Sequence, residues 1–259
     1  MRMMKKVLGT VTVLALSVSL LAGCGSTAAS PVSSAASTAA ESTTSSVVSE
    51  TTSAAADENA AAAAKLLNDL TGSYQELWPV ILADEYQQTW LDDCTALVGE
   101  ENAEAAFEKL SSMVTSDVYG EDAVEAYANG GGAYFCGFTN SLATLTFDGE
   151  TSTISGTDKD GNVLFSHTYH YIGMEPVHGL YEFESDDADS GEFTYFFLAP
   201  DTSAETYHIE FRYGSDAEAL SQYDAGEYAY WVASGISTDC DQTMIDNCIE
   251  LFCTENLAG

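Results

Sequence analysis

The chain has 259 residues and sets 41 Asp and Glu against 7 Lys and Arg, a formal net charge of −34 at pH 7. A field of this sign repels nucleic acid and anionic headgroups, so neither is an expected partner, whereas cations are drawn to it. Most of these carboxylates are read as solvated surface that keeps the chain in solution, not as a site.

Arg2, Lys5 and Lys6 precede an apolar run from Val7 to Leu20, and Leu21-Ala22-Gly23-Cys24 follows it. Charge, a short apolar run and small residues in that order predict a secretory signal peptide over 1–23 with a lipoprotein cleavage box. Cys24 is then the lipidated first residue of the mature protein, anchored by acyl CH₂ groups worth about 0.8 kcal/mol each. The chain is accordingly expected to be bacterial, extracytoplasmic and held at the cell membrane by its lipid. Residues 24–57 are nearly all Ser, Thr, Ala and Val, without aromatic residues, and read as a flexible linker that cannot bury enough surface to order itself. One domain, 58–259, remains.

Helix is expected first: Ala60 to Ala64 lead into Lys65-Leu66-Leu67. A second helix is predicted from Ser73 to about Leu97, anchored by Leu77, Trp78, Ile81, Trp90 and Leu91, with Ser73 and Glu76 spaced as a capping box. Ala103, Ala106, Phe107, Leu110 and Met113 give an amphipathic helix, Ala123, Val124 and Tyr127 a shorter one ended by Gly130-Gly131-Gly132. From Ala133 the period changes to two. Strands are predicted at Leu142 to Phe147, around Ile154, and over Val163 to Ile172, Leu180 to Glu184, Phe193 to Leu198 and Tyr207 to Tyr213, separated by Asp148-Gly149 and Asp160-Gly161 turns. Met244, Ile245, Cys248, Ile249 and Phe252 form one face of a closing helix, capped by Thr238 or Asp239. The expected fold is mainly β: an antiparallel barrel or sandwich with N-terminal helices and a C-terminal helix.

Tyr207-His208-Ile209-Glu210-Phe211-Arg212-Tyr213-Gly214-Ser215-Asp216 carries the main chemical signal. On a strand, His208 and Glu210 point to the same face, roughly 7 Å apart at the backbone, close enough for both heads to hold one ion. Imidazole nitrogen and carboxylate oxygen both bind Zn²⁺ at about 2.0 to 2.2 Å. His167 and His170 are three residues apart on a strand and face opposite sides. Beyond Cys24 stand Cys94, Cys136, Cys240, Cys248 and Cys253, an odd number without a Cys-x-x-Cys pair, leaving buried thiols, a single disulfide or a thiolate metal site as readings. The triple glycine lacks the Lys-Ser or Lys-Thr of a phosphate loop, and neither Gly-x-Ser-x-Gly nor His-Glu-x-x-His occurs. No positive case for an enzyme emerges.

In its order of elements, and in Trp78-Pro79-Val80-Ile81-Leu82 with Trp90, His167-Thr168-Tyr169-His170-Tyr171-Ile172-Gly173, Tyr181-Glu182-Phe183-Glu184 and the 207–216 segment, the chain resembles the ZinT-type zinc-binding proteins from about Tyr74 to Phe252. The resemblance implies a lipocalin-like barrel, a domain also found fused to the zinc-binding component of metal ABC transporters, and hence zinc capture with delivery to a metal ABC importer. The family's zinc site is a His-x-His pair before an aromatic-Gly-polar-Asp run, with a third histidine nine residues earlier. Matched on Tyr213-Gly214-Ser215-Asp216, His208 takes the first position, Glu210 the second, and Ala199 the third. Glutamate keeps a divalent-metal donor and favours harder ions; Ala199 supplies none. Asp201, or His178 in the turn Glu175-Pro176-Val177-His178-Gly179, would have to complete the set. Binding would need neutral imidazole, so affinity is expected to fall as pH drops through the ordinary histidine pKa of about 6.5. Two other readings stand: a lipocalin-like barrel holding a small molecule in an interior lined by Tyr134, Phe135, Tyr169, Tyr181, Phe183, Tyr195 and Phe197, and an exported enzyme using carboxylates or a thiol such as Cys136.

Overall fold

The computed structural model describes residues 58–199 and 208–258. The segment expected to be a signal peptide, Cys24, the expected linker and Asp201 lie outside the described residues. Eight strands, β1 (Gly72–Glu76), β2 (Thr144–Asp148), β3 (Thr153–Thr157), β4 (Val163–Met174), β5 (Tyr181–Ser185), β6 (Tyr195–Leu198), β7 (His208–Gly214) and β8 (Ala233–Ser237), close into a barrel. Each pairs antiparallel with its sequence neighbour, and β1 pairs with β8. This is the up-and-down order of lipocalin-like barrels, flanked by helices on both chain ends as the sequence predicts.

The helix over 58–69, α1, buries Ala63, Leu66 and Leu67, and Leu70 just past its end continues the three-and-four spacing of that face against the barrel core. Its end presses so closely on the β2–β3 turn that a Cβ on Gly149 would lie 2.4 Å from the Asn68 Cα. Only glycine fits there.

The predicted helix from Ser73 to Leu97 is corrected by the structure. Residues Gly72–Glu76 form β1, and helix resumes as α2 (Leu77–Ile81), a 3₁₀ turn (Asp84–Tyr86) and α3 (Gln87–Val98). The polar pair that mimics a capping box serves the barrel instead. Ser73 Oγ bonds Thr146 Oγ1 at 2.8 Å, and Glu76 Oε1 accepts from the Phe138 N–H at 2.6 Å. A strand that closes a barrel satisfies two neighbours at once, and that pairing overrides a local cap. Similarly, the closing helix α7 (Gln242–Leu257) is capped by Asp241, whose side chain accepts from the Met244 N–H at 3.0 Å, not by Thr238 or Asp239.

On the outer side of β8, α2, α3, α4 (Glu100–Met113) and α7 pack around Ile236 as a second core. Trp90 is its centre: fully buried, its indole N–H donates to the Ile81 carbonyl at 2.7 Å, and its ring meets Phe252 edge-on at 5.9 Å. A shorter helix, α5 (Glu121–Ala128), precedes the triple glycine. No helix among the described residues is long and apolar enough to cross a membrane.

Register fixes what faces inward. Phe147 pairs with Ile154, Phe183 with Phe196, Phe196 with Tyr213 and Phe211 with Ala233, and these side chains share one buried cluster in which Phe196 and Phe211 stack near Tyr213. Of the aromatic residues expected to line a ligand cavity, Tyr169, Tyr181 and Phe183 face in. Tyr195 and Phe197 face out, because they pair with Glu184 and Glu182 on the opposite side of β5, and Tyr134 and Phe135 lie outside the eight strands. The inward rings belong to one buried apolar cluster or pack against it.

Candidate metal centre

Inside β7 the alternation is regular: Ile209, Phe211 and Tyr213 point into the barrel, while His208, Glu210 and Arg212 point outward. His208 is half-buried and pairs with Ile236; Glu210 is exposed and pairs with Ser234. The Ala199 N–H donates to the Glu210 carbonyl at 2.9 Å, one rung beyond the Leu198–Phe211 pair. Position 199 therefore sits across from 210 on the same outer face, where directly opposed residues bring their Cβ atoms to about 5 Å. The three positions at which the family resemblance implies ligands, 199, 208 and 210, share one patch at the β6–β7 connection. A methyl group, a carboxylate and an imidazole occupy it.

Among the described residues, no three His, Cys, Asp or Glu side chains converge to hold a metal ion. His178 is placed with other partners: its Nδ1 lies 3.3 Å from Glu175 Oε2, and its ring centroid is 3.8 Å from that of Tyr223. Of the strand histidines, His167 shares the inward face with Phe165 and Tyr169 and meets Asp187 at 2.8 Å. His170 faces out to Asp186 at 2.7 Å.

Sequence reasoning missed the cluster next to this patch. Arg212, fully buried, lies 4.3 Å over the Tyr223 ring and donates to the carbonyls of Leu220, Gln222 and Tyr228. Burial draws its pKa down, while Tyr223 and the buried Glu175 act the other way. Glu175 itself accepts from the Val177 and His178 N–H groups at 2.9 and 2.6 Å. Burial pushes the Tyr223 phenol up, and the charges of Glu175 and Glu210 add to the push against Arg212. A lone arginine amid apolar residues of a strand, in so acidic a chain, is the signal that could have marked it.

Beneath the helical layer, burial pushes the Cys136 thiol up to about 12, with the charge of Glu210 adding to it, and Cys248 likewise up to about 12. Such thiols stay protonated near neutral pH and are poor nucleophiles, which weighs against Cys136 as a catalytic group. They also set an alkaline limit. Below an unfolded thiol pKa of about 8.5, both states hold the proton; above it, only the native state does, so stability falls as pH rises toward about 12. The unfolding free energy from urea titrations is expected to drop between about pH 8 and pH 11 by on the order of a few kcal/mol, and Cys136→Ala with Cys248→Ala to flatten that slope.

No family model and no curated protein sequence matches the chain. Solved structures do resemble it. The zinc-bound ZinT-like domain of Streptococcus pneumoniae AdcA is 16% identical, with 71% of this chain and 89% of that one aligned and a TM-score of 0.45. Zinc-bound AdcA from the same organism is 14% identical over 72% of this chain and 35% of that one, with a TM-score of 0.43. This chain thus spans about a third of whole AdcA. The lipocalin-like assignment rests on strand order and closure, independently of these likenesses.

Proposed function

We propose that this chain is an extracytoplasmic protein, anchored through lipidated Cys24 on the 24–57 linker, that binds a divalent metal ion, zinc first, as cargo and does no chemistry on it. The observation that carries the reading is the shared outer face of β7, where His208 and Glu210 are consecutive outward residues beside Ala199. One imidazole and one carboxylate fit zinc as donor types, yet zinc takes about four ligands. Asp201 is the favoured third donor because it follows Ala199 by two residues in the same β6–β7 connection, whereas His178 is held by Glu175 and Tyr223. Water would fill the rest, giving an open site suited to release. A metal ABC importer is the proposed recipient.

Equilibrium dialysis of the chain against zinc, followed by metal analysis, tests this. One zinc per chain is expected, with His208→Ala, Glu210→Ala and Asp201→Ala each weakening binding at least about tenfold, since even partners that only orient a ligand are worth about 10- to 100-fold. No stoichiometric zinc, or unchanged binding in the His208→Ala and Glu210→Ala double variant, would overturn the reading.

A further inference from the structure

We propose that Cys94 and Cys253 are a disulfide-forming site that locks α7 onto α3. Their sulfurs are 3.9 Å apart, although the residues stand 159 positions apart in sequence. Both are fully buried in the helical core around Trp90 and Phe252. Among the described residues they are the thiols in mutual contact. A disulfide brings its sulfurs to about 2.05 Å, so each sulfur has to move only about 1 Å, a shift that small side-chain rotations on two packed helices can supply.

The reaction needs an oxidant, and a small-molecule disulfide serves. The thiolate of one cysteine attacks a sulfur of R–S–S–R and expels one R–S⁻, which takes up the proton lost from that thiol. The second thiolate then attacks the mixed disulfide, forming the Cys94–Cys253 bond and expelling the second R–S⁻. Two electrons pass from the protein thiols to the reagent, and two R–SH leave. Access is the gate. Burial raises both thiol pKa values, and the charge of Asp93 adds to this in each. Cys253 lies in the C-terminal part of α7, however, and fraying of that helix end would give the oxidant its route. Once formed, the bond closes a long loop and restrains the unfolded chain, so the melting temperature should rise by about 5 to 15 °C.

The full chain carrying Cys24→Ser, incubated with oxidised glutathione in mildly alkaline buffer, provides the test. The expected product has lost the mass of two hydrogens, has two fewer reactive thiols under denaturing conditions, and yields a peptide joining Cys94 to Cys253. Cys253→Ala should abolish the cross-link, and Cys240→Ala should leave it intact. A cross-link mapped to Cys136, Cys240 or Cys248, a stable glutathione adduct in its place, or no loss of thiols even at urea concentrations that loosen α7 would overturn the proposal. Peptide mapping of the unsubstituted pair requires no variant at position 94 or 253, so a misfolded variant cannot obscure the result.

Discussion

Arg212→Met is expected to cost about 3 to 5 kcal/mol in urea unfolding, one of the two largest effects foreseen for this chain. The guanidinium donates to three carbonyls, of Leu220, Gln222 and Tyr228, in a fully buried position on the outer face of β7. Methionine fills comparable volume and supplies no donor. Each stranded acceptor loses roughly 1 to 3 kcal/mol, and the buried Glu175 loses the positive charge in its surroundings. Lysine is no remedy, because one ammonium cannot reproduce a planar fork that spans separate carbonyls. Arg212→Lys should therefore recover only part of the loss. A cost below about 1 kcal/mol for the methionine variant would show that the 217–228 segment and the β4–β5 turn hold to β7 by apolar packing alone.

The second large effect is a gain. Ala199→His should raise zinc affinity by about a hundredfold, as an imidazole opposite Glu210 joins His208 on one outer patch. The expectation rests on the Ala199 N–H to Glu210 carbonyl bond at 2.9 Å, which sets those positions across from each other. Ala199 is 6% exposed, so the larger side chain must find room at the barrel rim. Ala199→Asp, smaller and still a ligand, separates crowding from coordination. Unchanged affinity in both variants, with circular dichroism unaltered, would mean the patch does not bind zinc.

Strand periodicity made most of this barrel legible. Alternation over β2, β4 and β7 announces both the strands and their inward faces, and in β7 it places His208 and Glu210 together. The two strands that close the barrel were harder. Ser73 and Glu76 in β1 look like a helix cap because local spacing says nothing of Thr146 or Phe138, their partners 73 and 62 residues away. Ala233-Ser234-Gly235-Ile236-Ser237 in β8 lacks alternation because it lies between the barrel core and the helical layer, buried on both faces. At the site, the sequence supplied donor types and their spacing. That position 199 faces 210 depends on hairpin register, which no pattern within one strand contains.

Anomalous diffraction at the zinc edge from crystals of the zinc-soaked chain is the most direct measurement of the central claim. One peak is predicted on the outer face of β7, about 2.0 to 2.2 Å from a His208 ring nitrogen and a Glu210 carboxylate oxygen, with a further donor from the β6–β7 connection. A peak held elsewhere, at His178 and Glu175 or at the His170 and Asp186 pair, with none beside His208, would contradict it.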